Sequence, residues 1–152
     1  MADLEIRGAD TFARVSKALK RAGDKELRKE LYAGINRATK PMRAEAKKSA
    51  ERNLPRTGGL NKRVARARLT TRRRTGKNPG ISIVAKGMDQ LALMDRGYVR
   101  HPVFGNRKRW STQPIPDAEG WFTTPMEDGA PQARKEIVKS LDGIAKKLAR
   151  KY

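Results

Sequence analysis

Arg66-Ala67-Arg68-Leu69-Thr70-Thr71-Arg72-Arg73-Arg74 alternates with a period of two. Ala67, Leu69 and Thr71 fall on one side and Arg66, Arg68, Arg72 and Arg74 on the other, the spacing of a strand with one packed and one wet face. After the turn-rich run Thr75 to Gly80, Ile81, Ile83 and Ala85 resume the alternation. Residues 66–86 therefore predict a β-hairpin with one apolar face and one arginine-rich face.

Toward the N-terminus, Leu54-Pro55-Arg56-Thr57-Gly58-Gly59 breaks a helical pattern. Before it, Leu27, Leu31, Ile35, Ala38, Met42 and Ala46 recur at spacings of three and four, which predicts a helix from Asp24 to Arg52. Such a helix is about 43 Å long at 1.5 Å per residue, and Pro41 is expected to kink it, because its ring clashes with the carbonyl of Arg37. A shorter helix over residues 10–22 precedes it, with Asp10 as cap, Phe12, Val15 and Leu19 on one face, and Gly23 at its end.

Toward the C-terminus, residues 87–122 read as mostly irregular, with strands over Tyr98 to Phe104 and Trp110 to Gln113 and a loop at Pro114, Pro116 and Gly120. Trp110, Trp121 and Phe122 are expected to anchor the sheet to the last helix. Thr124-Pro125-Met126-Glu127 has the pattern of a capping box with proline at the first helical position. Met126, Ala130, Ala133, Ile137, Leu141, Ile144 and Leu148 then form one stripe, with Pro131 placed to kink its first turns. The order helices, strands, helix is an α+β arrangement in a single domain, residues 1–152.

The 152 residues hold 36 Lys plus Arg against 16 Asp plus Glu, a formal charge of +20. A compact body so charged repels itself, and a bound polyanion or acidic surface is the natural compensation. Aromatics are only 5% and many of the hydrophobic residues are alanine, so the core is expected to be thin and to lean on a partner or on further copies. Cysteine is absent, which excludes disulfides and thiolate zinc sites. Neither a signal core nor a run of about 18 apolar residues is present. The expectation is a protein neither secreted by the usual route nor embedded in a bilayer.

No catalytic constellation emerges. His101 is the single histidine, followed by Pro102, and has no cysteine or second histidine with which to hold a metal. The carboxylates Asp89, Asp95, Asp117, Glu119, Glu127 and Asp128 do not cluster as two-metal phosphodiester chemistry requires. Thr57-Gly58-Gly59-Leu60 lacks the spacing and the Lys-Ser/Thr of a phosphate loop. The chain is therefore expected to be no enzyme and to need no cofactor or metal.

Binding is the alternative to chemistry. From Leu60 to Gly80 there are eight Lys or Arg and no acid. Arginine forks take phosphate or carboxylate oxygens bidentately, and a strand presents them as a row. The candidate binding residues are Arg66, Arg68, Arg72 and Arg74, with Arg73 and Lys77 beside them; the plainer alternative is a solvated face kept soluble by charge. Arg107, Lys108 and Arg109 next to Trp110 form a second patch, suited to a nucleic-acid strand by charge and stacking, or else a charged loop tip beside a core tryptophan.

One likeness joins these pieces. A Leu/Ala-rich helical N-terminus and a basic hairpin lead to His101-Pro102-Val103-Phe104-Gly105-Asn106-Arg107, then Trp110, Gln113, Trp121-Phe122 and a C-terminal helix. This order resembles the tail-component proteins of long-tailed bacteriophages typified by the gene-ten product of a lambdoid phage, especially the actinobacterial-phage branch. The likeness covers nearly the whole chain and is most specific from Asp95 to Phe122. It implies a structural protein of the virion, present in the host cytoplasm during assembly. Its role is tail completion or tail termination at the neck, between connector or stopper proteins and the tail tube. It implies homo-oligomeric rings, hexameric where they meet a six-fold tail, with genome DNA passing the channel and no membrane or enzymatic activity. A free nucleic-acid-binding protein that grips the backbone with the arginine hairpin is the second reading, and a nuclease or other enzyme the third.

Overall fold

The apolar stripes at three- and four-residue spacing build a pair of long helices that frame the molecule. In the computed structural model, which describes residues 2–4, 9–74, 77 and 79–152, these are α2 (Lys25–Asn53) and α5 (Thr123–Lys151). They run antiparallel. Lys147 pairs with Glu30 near one end, and the Ser49 hydroxyl donates to the Trp121 carbonyl at 2.6 Å near the other. Leu27, Leu31, Ile35, Ala38, Met42 and Ala46 are buried against Met126, Ala130, Ala133, Ile137, Leu141 and Ile144. Glycine stands at two close approaches. A Cβ on Gly34 would lie 2.6 Å from Ser140 Oγ, and one on Gly129 2.6 Å from Met42 Cγ. α1 (Ala9–Ala22) lays Phe12, Val15 and Leu19 onto the same core.

Both helix starts are capped, by different means. The Asp24 carboxylate accepts the Leu27 N–H at 3.0 Å and begins α2 as expected. The anticipated capping box of α5 does not form: the helix starts at Thr123, and no side chain at its own N-cap bonds the first turn. Asp95, at the end of the short α4 (Leu91–Asp95), reaches over instead. Its Oδ1 accepts the N–H groups of Phe122 at 2.8 Å and Thr123 at 2.9 Å, and its Oδ2 takes the Thr123 hydroxyl. α2 and α5 run unbroken past Pro41 and Pro131. α1 begins one residue before Asp10, whose side chain lies outside the described residues.

The alternating stretch does form the predicted hairpin, as β2 (Arg68–Arg74) and β3 (Gly80–Lys86). A third strand not foreseen, β1 (Ala2–Leu4), pairs with β3, giving an antiparallel sheet ordered β1-β3-β2. Leu69, Ile81 and Ile83 are buried, and the Thr71 hydroxyl meets that of Thr39 on α2 at 3.0 Å. The glycine turn after α2 leads into another unforeseen element, the short helix α3 (Leu60–Ala65). β4 (Tyr98–Val103) and β5 (Asn106–Pro114) pair antiparallel as a separate two-stranded sheet.

Candidate polyanion and partner interface

The first hairpin divides its arginines between two faces. Arg68, Arg72 and Arg74 are exposed on the outer side, where the register sets Arg68 opposite Lys86, Arg72 opposite Ser82 and Arg74 opposite Gly80. Alternate residues of a strand stand about 7 Å apart, so Arg72 and Arg74 form a closely spaced cationic row. Arg68 opposite Lys86 places like charges together, which costs stability until an anion answers them. Arg73 faces the other way and lays its guanidinium 3.8 Å from the ring centre of Tyr32 on α2. Arg66 does not belong to the strand: α3 captures its N–H at the helix C-cap, so the alternation starts only at Arg68. Lys77 is exposed between the strands; Thr75, Gly76 and Asn78 of the predicted turn lie outside the described residues.

The second hairpin, β4–β5, is a ribbon with little over it. β5 is exposed along its whole length, so Arg107, Lys108 and Arg109 lie on a strand and not at a loop tip. The tip is Phe104-Gly105, both at positive φ, and Phe104 is fully exposed at 103%. Trp110 and Tyr98 are 45% and 44% exposed. Trp110 is therefore not the sheet-to-helix anchor that the sequence predicted. It sits opposite Pro102 on the ribbon, its indole N–H donating to the Arg107 carbonyl at 2.8 Å and its ring 5.5 Å from the Arg100 guanidinium. Trp121 and Phe122 are buried in the core, stacked edge to face at 5.5 Å. Gln90 staples the ribbon to the body, donating to the Arg100 carbonyl at 2.9 Å and accepting the Arg100 N–H at 2.8 Å, and Val99 packs against the core. His101 is half-buried beside the Pro102 carbonyl, a local contact.

At the base of this hairpin the charge reverses. Ile115 N–H donates to the Gly97 carbonyl and Gly120 N–H to the Asp95 carbonyl, each at 2.7 Å, which folds the loop 115–120 back against α4. A cavity of about 220 Å³ opens there, with Asp117 and Glu119 from the loop, Glu45 from α2 and Asp128 from α5 around Trp121 and Pro125. Among the described residues Arg52 is the one cation in its wall, and it bonds Glu45 at 2.7 Å. That bond, with Lys48 nearby, holds the Glu45 carboxyl below its usual range. Nothing in the sequence announces this grouping, because the four acids come from three separate segments that only the fold brings together.

Among the described residues, no group of three or more His, Cys, Asp or Glu side chains is placed to hold a metal ion, and no helix is long and apolar enough to cross a membrane. No protein-family model matches the chain, and neither a curated protein nor a solved structure matches it.

Proposed function

We propose that the chain is a structural virion protein of a long-tailed bacteriophage, a ring-forming component of the neck that performs tail completion or tail termination. The observation that carries this reading is the β4–β5 hairpin, which falls in the segment of strongest likeness to that family. A two-stranded ribbon alone is marginal in water, and exposed aromatics grouped on it mark a surface made for a partner. Phe104, Trp110 and Tyr98 are all exposed on this one ribbon. The reading assigns the chain no catalysis and no cofactor. Its partners are further copies of itself, a connector or stopper protein, and the tail tube.

Electron microscopy and native mass spectrometry of the purified chain, alone and mixed with tails lacking it, test the role. Rings that cap those tails are the expected result. A monomer that never joins tails would remove the proposal.

A second reading has its own observation, the exposed row of Arg68, Arg72 and Arg74. As a nucleic-acid-binding surface it requires binding that weakens steeply with salt and falls on Arg68→Ala and Arg72→Ala. Binding that is absent or independent of salt counts against it.

A further inference from the structure

We infer that basic side chains on the ribbon β4–β5 of one copy enter the acidic cavity of a second copy, joining the chains head to tail. This rests on the ring-forming role proposed above and specifies the contact.

Charge complementarity carries it. From Arg96 to Pro116 the chain has no acidic residue, while Arg100, Arg107, Lys108 and Arg109 lie on the ribbon. The cavity at the ribbon's base is lined by four carboxylates and one guanidinium, and that guanidinium is already engaged by Glu45. In a chain of net charge +20 two copies repel over most of their surfaces. An acidic recess is where such a surface attracts another copy, and the ribbon is the basic projection that matches it. Interfacial charge pairs of this kind fix register and suppress wrong pairings.

Geometry makes the contact intermolecular. The six residues of β4 carry its end about 17 Å from its start, five steps of about 3.4 Å each. Its start adjoins Gly97, where an added Cβ would lie 3.7 Å from Glu119 in the cavity wall. The tip is thus held a ribbon's length from its own cavity, so its basic side chains can reach such a cavity only on a second copy. Because the two surfaces differ, the contact is heterologous, and repetition closes a ring or extends a filament.

Charge reversal on each side separates the outcomes. Arg107→Glu with Arg109→Glu reverses the ribbon; Glu119→Lys with Asp128→Lys reverses the cavity. All four positions are exposed, and circular dichroism checks that each variant folds. Analytical ultracentrifugation should show oligomers for the wild type and monomers for each variant. Mixing the two variants should restore oligomers in which the two chains alternate, because each ribbon then meets a cavity of opposite charge on the other chain while neither variant pairs with itself. The chain carrying both reversals should regain oligomers. A monomeric wild type, oligomers that survive both reversals, or variants that never pair would each overturn the contact. So would a ribbon reversal that abolishes binding of a single-stranded oligonucleotide while oligomers persist; the ribbon would then serve nucleic acid. Rings that cap tails but ignore both reversals leave the neck role standing without this contact. Copies that pair as described but never join tails leave the contact standing without the neck role.

Discussion

The molecule contains two basic antiparallel hairpins, and they are anchored in opposite ways. The first, β2–β3, buries Leu69, Ile81 and Ile83 and shows only one face to water. The second, β4–β5, is held through Gln90 and its base, and β5 is exposed throughout. Similar charge therefore sits on unlike supports. In the first hairpin the arginines decorate an element that the core needs. In the second, the ribbon contributes little to the core, and its sequence is free to serve a partner.

The sharpest way to break that comparison is to truncate one apolar side chain on each hairpin. Ile83→Ala removes a side chain that is 1% exposed and should cost about 2–5 kcal/mol, as large-to-small changes in cores do. Trp110→Ala removes a far larger ring, with its contact to Arg100 and its bond to the Arg107 carbonyl, yet it should cost only about 0.5–1 kcal/mol in the isolated chain. Urea unfolding of both variants checks this; equal losses would mean that the second ribbon is packed after all. The effect of Trp110→Ala belongs in assembly, where an exposed aromatic becomes an anchor.

The next largest effect lies at the joint between ribbon and frame. Asp95→Ala removes the acceptor for the first N–H groups of α5 and should cost about 1–2 kcal/mol. Asp95→Asn keeps one acceptor oxygen and should recover part of that loss. Thermal melts of the pair check the order; equal melting points for Asp95→Ala and the wild type would show that the helix start is satisfied in some other way.

Asp95 also shows where the sequence could be read and where it could not. Stripes repeating every three or four residues put α1, α2 and α5 in place, because periodicity is a local property that burial then obeys. The alternation at Arg68 to Arg74 likewise yielded the first hairpin. The capping box does not form because Thr124-Pro125-Met126-Glu127 satisfies only a local pattern, whereas the acceptor that wins, Asp95, comes from 27 residues away from Phe122. Trp110 departs from the expected core position for a related reason. Large aromatics usually mark cores, and only the absence of a covering helix, a tertiary fact, exposes this one. The acidic cavity was invisible because it exists only once α2, the loop 115–120 and α5 converge.

Within the first hairpin, neighbouring arginines sharpen the contrast between its two faces. Arg73 lies over Tyr32, so Arg73→Ala should cost about 0.5–1 kcal/mol, the worth of an exposed cation–π contact. Arg68 stands opposite Lys86, so Arg68→Ala relieves a like-charge pair and should be neutral or slightly stabilising. Denaturant titrations at low salt check the opposite signs, and high salt should shrink the Arg68 effect first. The reverse order would place Arg73, not Arg68, on the polyanion-facing side.

The smallest effect at neutral pH is expected at Asp24, and it distinguishes the frame from the second ribbon by acid. The Leu27 N–H bond, then Lys151, holds the Asp24 carboxyl below its ordinary value, and Asp24 raises the Lys151 ammonium in return. A lowered carboxyl stabilises the fold above its unfolded value of about 4, and that contribution fades as pH falls through the folded value. The raised lysine contributes below about 10.4 and fades as pH climbs through its folded value. The clamp therefore works across the neutral window and fails at both ends. Asp24→Asn keeps an N-cap acceptor for Leu27 but loses the charge that Lys151 pairs with at 2.8 Å. It should lose the small contribution that the clamp makes at neutral pH, so its fall toward acid should become shallower. The two tryptophans report the two regions separately, Trp121 from the frame and Trp110 from the ribbon. On acidification the loss of the buried Trp121 environment, which marks unfolding of the frame, should spread over a wider pH range in Asp24→Asn than in the wild type. An acid limb as steep in Asp24→Asn as in the wild type would take the clamp out of the frame's stability.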